Sequence, residues 1–217
     1  MAQIFPKWTN KIPMFLIAGV LSTVAVVSFG FWYFGSPKYL EVGYRPKQPV
    51  PYSHKLHAGD LGMDCRYCHI GVEKSAHASV PSTSTCMNCH TQVLPKSEKL
   101  LPVRESYATN KPIEWVKVHK VPDFAYFNHS VHVNVGVGCK SCHGNVAQMD
   151  ERGVSQVEPL SMGWCLDCHR NPEPHLRPKS EITNMDWVAP ANQTEFAAKL
   201  IAEKKIKPPV DCGACHR

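Results

Sequence analysis

One short motif, Cys-x-x-Cys-His, occurs five times in this chain of 217 residues and accounts for every cysteine in it. A Cys-x-x-Cys pair alone could be a zinc half-site, a redox dithiol or part of a disulfide scaffold, but none of these requires a histidine directly after the second cysteine. The complete motif is the attachment signature of haem c. The cysteines are Cys65, Cys68, Cys86, Cys89, Cys139, Cys142, Cys165, Cys168, Cys212 and Cys215, and the histidines are His69, His90, His143, His169 and His216.

The spacing within the motif matches the chemistry of thioether attachment. Two thiols three positions apart can each bond to one vinyl group of a single porphyrin, and the adjacent histidine then reaches the iron. Zinc sites built from four cysteines use such pairs two at a time, whereas this chain has five pairs, an odd number. The sequence therefore predicts five covalently bound haem c groups.

Seven further histidines could supply the sixth ligands of the irons. Four of them form two matching Aromatic-x-His-x-x-His patterns, each a few residues before a Cys-x-x-Cys-His motif, and these four are the predicted ligands: His54, His57, His129 and His132. Each of the other candidates could either ligate an iron or simply pack in the protein: His77, His119, His175 and Met149. Methionine ligation would raise the haem potential above that of two histidines.

The two histidine patterns belong to an internal duplication. Residues 52–90 and 127–169 each contain one histidine pair followed by two motifs, and both histidines of the pair are offset by 75 residues between the copies. Histidines at i and i+3 on a helical turn project in neighbouring but divergent directions, so that one turn can serve two irons. The fifth haem site, residues 212–216, stands outside the duplication.

The segment from Ile12 to Phe34 contains 23 residues without a charge, about 34 Å as a helix, which is enough to cross a bilayer. Lys7 and Lys11 precede it and an aromatic cluster ends it, as at a membrane interface. The competing interpretation is a cleaved signal peptide, whose apolar region is shorter and ends in small residues. The sequence thus favours an anchor over residues 1–34 and a linker over residues 35–51.

These elements predict the fold class: a single N-terminal transmembrane helix plus a loop-rich, mainly α/irregular multihaem cytochrome c domain, residues 52–217, with little regular secondary structure. The 18 prolines and 13 glycines argue against long helices or sheets. Porphyrins are expected to form much of the apolar core. Outside the motifs, residues 191–206 form the clearest helix prediction, because Pro208 and Pro209 end the pattern.

Haem c is attached on the outer face of an energy-transducing membrane. We therefore expect a single-pass protein of the cytoplasmic membrane, in contact with membrane lipid, with its N-terminus inside and its haem domain on the periplasmic or outer face. The formal charge of +6 does not indicate nucleic-acid binding, because the basic residues are scattered and no nucleic-acid-binding motif accompanies them.

The histidine pairs followed by attachment motifs resemble the class III multihaem cytochromes c. In that family the first histidine of a pair serves the haem bound just downstream. The resemblance implies that His54 ligates the haem at Cys65 and His129 the haem at Cys139, while His57 and His132 cross to later haems.

The whole chain also resembles the pentahaem subunit (ActA type) of bacterial alternative complex III. The resemblance rests on the single apolar span, the five motifs and three stretches, residues 81–90, 115–119 and 159–172. It implies an electron-transfer subunit of a quinol:electron acceptor oxidoreductase that delivers electrons to a periplasmic carrier or oxidase. The implied partners are an iron–sulfur subunit, quinol-binding integral membrane subunits and a monohaem cytochrome c.

Two other functions stay open. One is a membrane-anchored quinol dehydrogenase of the NapC/NrfH type, which would need part of a quinol pocket in residues 37–51. The other is a multihaem periplasmic reductase, which would keep an open iron position. The surplus of histidines favours six-coordinate irons that only exchange electrons, so no catalytic residue is predicted.

Overall fold

The computed structural model describes residues 4–216. They divide into two compact units between Glu41 and Val42. The first unit contains a 3-10 turn, a long helix α1 and a short helix α2: Lys7–Lys11, Ile12–Phe34 and Pro37–Leu40.

Helix α1 covers the predicted span and no side chain along it is buried. A proline in its first turn suits a helix start, since the amide that proline lacks would have had no partner there. The aromatic cluster at its end is ordered by ring contacts, with Phe29 and Tyr33 stacked at 5.9 Å. By length and composition α1 can cross a membrane, but a signal sequence near the N-terminus can have the same length and composition. Its role as an uncleaved anchor therefore stays a prediction.

The second unit is built of short helices joined by loops. Its α-helices are α3 Cys65–Cys68, α4 Thr83–His90, α5 Leu101–Thr109, α6 His129–Val135, α7 Lys140–His143, α8 Met162–Arg170, α9 Gln193–Lys204 and α10 Cys212–Cys215. Its 3-10 turns are Glu98–Leu100, Val146–Gln148, Glu173–His175 and Lys179–Glu181, and Lys55–Asp60 forms a π-helical turn. Between residues 4 and 216 there is no named strand, only an isolated antiparallel bridge between Val137 and Leu176. One apolar N-terminal helix and a loop-rich helical body confirm the predicted fold class.

The apolar core of this unit is small. Among the described residues the buried apolar side chains are Val50, Val103, Val118, Val133, Met149, Leu176, Ile182, Met185 and Ala197. They come from many separate segments and not from the faces of long helices. A core of this size packs the loops together around the attachment motifs.

Helix α9 is shorter than predicted. It runs from Gln193 to Lys204, whereas the sequence pattern extends from 191 to 206. Lys205 adopts the left-handed conformation and ends the helix before the two prolines are reached. Ala197 is fully buried, so one side of the helix packs on the body of this unit.

The two copies of the duplication interlock through matching backbone hydrogen bonds. The residue after the first histidine of each pair donates its amide to the other copy: Lys55 N–H to Met149 O at 2.9 Å, and Ser130 N–H to Ser75 O at 3.1 Å. Each acceptor lies six residues beyond the histidine of its copy's first motif. The histidine turn of one copy therefore packs on the loop after the first motif of the other.

Candidate functional site

Each pair of cysteines lies on one short helical segment. In four motifs both cysteines are inside the helix, and in the third Cys139 directly precedes α7 with helical backbone angles. The cysteines occupy positions i and i+3, so the two thiols lie on one helix face. Three of the helices begin at a capping side chain that accepts a backbone amide: Asp64 before α3, Ser161 before α8 and Asp211 before α10. These caps satisfy amides at the helix start and hold the first cysteine in the helical conformation. Cysteine spacing alone does not reveal these caps, although an aspartate directly before the first cysteine is a recognisable cap signal.

The histidines of the motifs are oriented by backbone carbonyls. Four of the five place ring Nδ1 on a carbonyl oxygen: His69 on Ser79 at 2.8 Å, His90 on Val93 at 2.9 Å, His169 on Pro209 at 2.6 Å and His216 on Phe124 at 3.0 Å. A carbonyl oxygen can only accept, so Nδ1 carries the proton and Nε2 keeps its lone pair. Such an outer hydrogen bond is the usual support of a metal-ligating histidine.

The second histidine of each pair has the same support. His57 donates Nδ1–H to Ser53 O and His132 donates Nδ1–H to Asn128 O, both at 2.8 Å and both to the residue four positions earlier. An aromatic ring lies against each of them, Tyr52 beside His57 at 4.5 Å and Phe127 beside His132 at 4.6 Å. The aromatic residue of the pattern therefore positions the histidine, which explains why both copies carry one.

Three pairs of histidine rings lie at a centroid separation that suits a haem iron between them. The ring centroids are 6.2 Å apart for His57 and His90, 6.0 Å for His132 and His169, and 6.4 Å for His129 and His143. An iron bonded to both rings at about 2 Å, with about 1 Å more from each nitrogen to its ring centre, would separate the centroids by roughly 6 Å. The residues present thus fit an iron porphyrin bound between two histidines.

His129 and His54, the first histidines of the two pairs, differ in their surroundings. His129 donates Nδ1–H to Ala76 O at 2.9 Å, in the loop after the first motif. His54 lies close enough to His69 to interact with it electrostatically, and its buried Nδ1 has no hydrogen-bond partner among the described residues. Both remain candidate ligands.

His119 lies beside His143 with ring centroids only 4.3 Å apart. That separation is too short for an iron bonded to both rings. Its Nε2 is buried and has no hydrogen-bond partner within residues 4–216. His119 and His129 thus both lie near His143, and only the His129 separation leaves room for an iron between the two rings.

Partial burial keeps the central histidines neutral. It lowers the pKa of His143 to about 3, and the pKa values of His54 and His119 to about 4. Neighbouring histidines add to the effect at His143 and His54. The neutral imidazole is the form that binds a metal, so these rings are ready for ligation at neutral pH.

The remaining candidates lie elsewhere. Met149 is buried, and its sulfur accepts a hydrogen bond from the Ser155 amide at 3.5 Å. His77 is exposed, and His175 is half-buried at the end of a 3-10 turn. Iron ligation by any of these three residues stays a prediction from the sequence. The burial and the contact of Met149 are those of a core side chain.

Two other interpretations of the cysteines find no support in the described part of the chain. No cysteine is joined in a disulfide. Residues 4–216 also contain no cluster of three or more histidine, cysteine, aspartate or glutamate side chains arranged to hold a bare metal ion, as a zinc site would need.

Short attachment helices, carbonyl-oriented histidines and facing rings together define the class of a multihaem cytochrome c. Comparison with known proteins agrees: residues 125–217 match the family described as cytochrome c7 and related cytochrome c. The chain is also 32% identical, over 173 residues, to a protein named menaquinone reductase, multiheme cytochrome c subunit, from Nitratidesulfovibrio vulgaris. The alignment covers 70% of this chain and 80% of that relative. The chain belongs to the multihaem cytochrome c family, whose members bind haem c covalently.

Proposed function

We propose that this chain binds five haem c groups and serves as the electron-transfer subunit of a quinone-linked membrane oxidoreductase. The observation that carries the proposal is the set of three facing histidine pairs, at 6.0 to 6.4 Å, next to attachment motifs. When bound, haem c supplies an iron that cycles between ferrous and ferric states and so takes up or releases one electron. The protein supplies the thioether cysteines, the axial ligands and their orientation.

The separations of the histidine rings support a set of ligand assignments. We assign three histidine pairs, each of which would hold one haem iron between its two rings: His57 with His90, His132 with His169, and His129 with His143. The duplication supports His54 as the partner of His69, since His54 and His69 correspond to His129 and His143. The Cys212–Cys215 helix and His216 form the fifth site.

Axial ligation on both sides supports electron relay over substrate chemistry. A haem that transforms a substrate keeps one iron position open, whereas an iron held between two histidines has no position for a substrate. The carbonyl hydrogen bonds to His57 and His132 at 2.8 Å hold these ligands in place. We therefore assign no catalytic residue to the sites that have a histidine on both sides of the iron.

The quinone link is supported by the name of the relative, which is a subunit of a menaquinone reductase. The finer proposal is a subunit of the alternative complex III type, which takes electrons from quinol and works with iron–sulfur, integral membrane and monohaem cytochrome partners. A subunit of a quinone-reducing complex is the second candidate, favoured by the 32% identity to that relative. An electron relay can run in either direction, so the two candidates differ in partners and not in this chain's chemistry.

Helix α1 supports attachment to the membrane. Its 23 residues are uncharged and mostly apolar, none of them is buried, and two lysines precede it. Since haem c is attached outside the cytoplasm, we place the N-terminus inside and the haem unit on the outer face.

The test is purification of the protein from membranes together with its bound neighbours. The proposal expects five haems per chain in a pyridine haemochrome assay, and haem absorbance that responds when quinol or quinone is added to the complex. Bound neighbours that include a monohaem cytochrome c support the alternative complex III type, and neighbours without one support the second candidate. Haem reduction by quinol in the isolated chain would instead favour the NapC/NrfH-type dehydrogenase. Fewer than five haems, or haems that respond to neither compound, would refute the proposal.

A further inference from the structure

We propose that the five attachment motifs form one line in space in the order second, first, third, fourth, fifth. The first and third motifs are then direct neighbours, and the second and fifth are the two ends of the line. The proposal rests on the proposed function in one respect, namely that all five motifs carry haem.

The second motif adjoins the first. Tyr67 and Asn88 lie inside these two motifs, and Asn88 Nδ2–H donates to the Tyr67 hydroxyl at 3.2 Å. The cysteines agree, because Cys68 and Cys86 lie near enough to interact electrostatically. His57, on the turn that follows His54, faces the second motif through His90.

The first motif adjoins the third, although the second lies between them in sequence. Cys65 and Cys139 lie close enough to interact electrostatically. Two consecutive residues also bridge the motifs: Thr183 donates its hydroxyl to Asp64 Oδ2 at 3.2 Å, and the carbonyl of Ile182 accepts from Cys139 N–H at 2.9 Å. The interlocking of the two copies produces this junction, because each histidine turn packs on the other copy's first motif loop.

The third motif adjoins the fourth through helix α6. His129 at the start of α6 faces His143, and His132 one turn later faces His169. Cys142 interacts with both Cys165 and Cys168. One helical turn therefore ties the two sites together, as two ligands at i and i+3 allow.

The fourth motif adjoins the fifth. His169 donates Nδ1–H to the carbonyl of Pro209 at 2.6 Å, three residues before the fifth motif begins. Cys165 and Cys215 lie close enough to interact electrostatically. The Cys215 carbonyl also accepts from Tyr126 N–H at 2.8 Å, which holds the fifth motif against the segment leading into α6.

The order has a functional consequence. Electron exchange requires close approach, so the second and fifth motifs are the places where redox partners would give or take electrons. The haems at the first, third and fourth motifs would exchange electrons only with the haems at the neighbouring motifs in the line.

The experiment uses the oxidised holoprotein and three single variants, His69→Met, His90→Met and His216→Met. Each variant keeps both cysteines, so a pyridine haemochrome assay shows whether all haems are present. Electron paramagnetic resonance then counts how many other haem signals shift through magnetic coupling. The proposal expects two shifted neighbours for His69→Met and one each for His90→Met and His216→Met. A single neighbour for His69→Met, or two for either of the others, would overturn the order.

A second measurement is independent of substitutions. Iron anomalous scattering from crystals of the unsubstituted holoprotein locates the irons, and the attached cysteines identify each one. The expected result places the iron of the first motif between those of the second and third. An iron of the first motif with the second as its sole neighbour would overturn the order while leaving the proposed function intact, whereas fewer than five irons would count against the proposed function.

Discussion

The ring of His132 lies 6.0 Å from the ring of His169, centroid to centroid, although the two residues belong to different helices. The corresponding pair in the other copy, His57 and His90, is 6.2 Å apart. Both His132 and His57 donate Nδ1–H to the carbonyl four residues earlier. The duplication thus preserves a three-dimensional relation, and a relation kept in both copies is the strongest support for axial ligation.

Removal of one of these rings should change the spin state of one haem. We expect His132→Ala, and equally His57→Ala, to convert one low-spin ferric haem per chain to high spin, because the iron loses its sixth ligand. The haem count should stay at five, since the cysteines are untouched. Electron paramagnetic resonance of the oxidised protein measures the change.

Val131→Ala is the matched control for His132→Ala. Val131 lies on the same turn of α6, and its side chain is 56% exposed. This variant should keep all haems low spin. A low-spin spectrum for His132→Ala as well would show that His132 is not an axial ligand.

Asp64 should stabilise the first attachment helix by capping it. Its carboxylate accepts the Arg66 amide at 2.8 Å. We expect Asp64→Ala to lower the free energy of unfolding by about 1 kcal/mol, as loss of a helix cap does. Asp64→Asn, whose side chain also caps, should lose less. Urea unfolding followed at the Soret band measures both variants, and equal losses would show that charge and not capping is responsible.

The same carboxyl should contribute to acid sensitivity. Hydrogen bonds from the Arg66 guanidinium at 2.8 Å lower the pKa of Asp64 from 3.8 to about 2. A carboxyl whose pKa is lowered in the folded state stabilises the fold above its unfolded pKa and loses that contribution as the pH falls through its folded pKa. The stability advantage of the unsubstituted protein over Asp64→Asn should therefore shrink between about pH 4 and pH 2. Urea titrations at several pH values measure it, and a constant difference would contradict the assignment.

Gly136 ends α6 in a conformation that suits glycine. Its φ is +109°, and a Cβ atom there would lie 2.5 Å from the Arg177 carbonyl oxygen. We expect Gly136→Ala to destabilise the fold by at least about 1–2 kcal/mol, because strain and a backbone clash add together. The loss should appear as a lower urea midpoint.

Gly163 in α8 provides the control for this substitution. It has helical surroundings, and no atom lies within 4 Å of a Cβ built there. Gly163→Ala should leave the urea midpoint unchanged or raise it slightly, since alanine is the better helix former. Equal destabilisation by both substitutions would mean that the backbone position of Gly136 has no special role.

Much of the local structure follows from short sequence patterns. The uncharged run fixed the bounds of α1 from Ile12 to Phe34, and the His-x-x-His spacing predicted the turn that became α6. Helix α9 was predicted two residues too long at each end, because a left-handed residue such as Lys205 leaves no periodicity signal. The capping aspartates could be recognised from their position directly before the first cysteine. The Cys-x-x-Cys-His spacing alone does not predict them, because capping depends on a side chain outside the motif.

The sequence by itself determined the attachment chemistry, because thioether formation and proximal ligation depend on residues that are covalent neighbours. The class III resemblance had already implied that His129 serves the haem at Cys139. The tertiary structure decided which carbonyls orient the histidines, which later motifs His57 and His132 approach, and which motifs are neighbours. The junction of Cys65 with Cys139 and the contact of His119 with His143 join segments far apart in the chain. Such contacts depend on how loops close and pack over long separations, and no local pattern of residues encodes that choice.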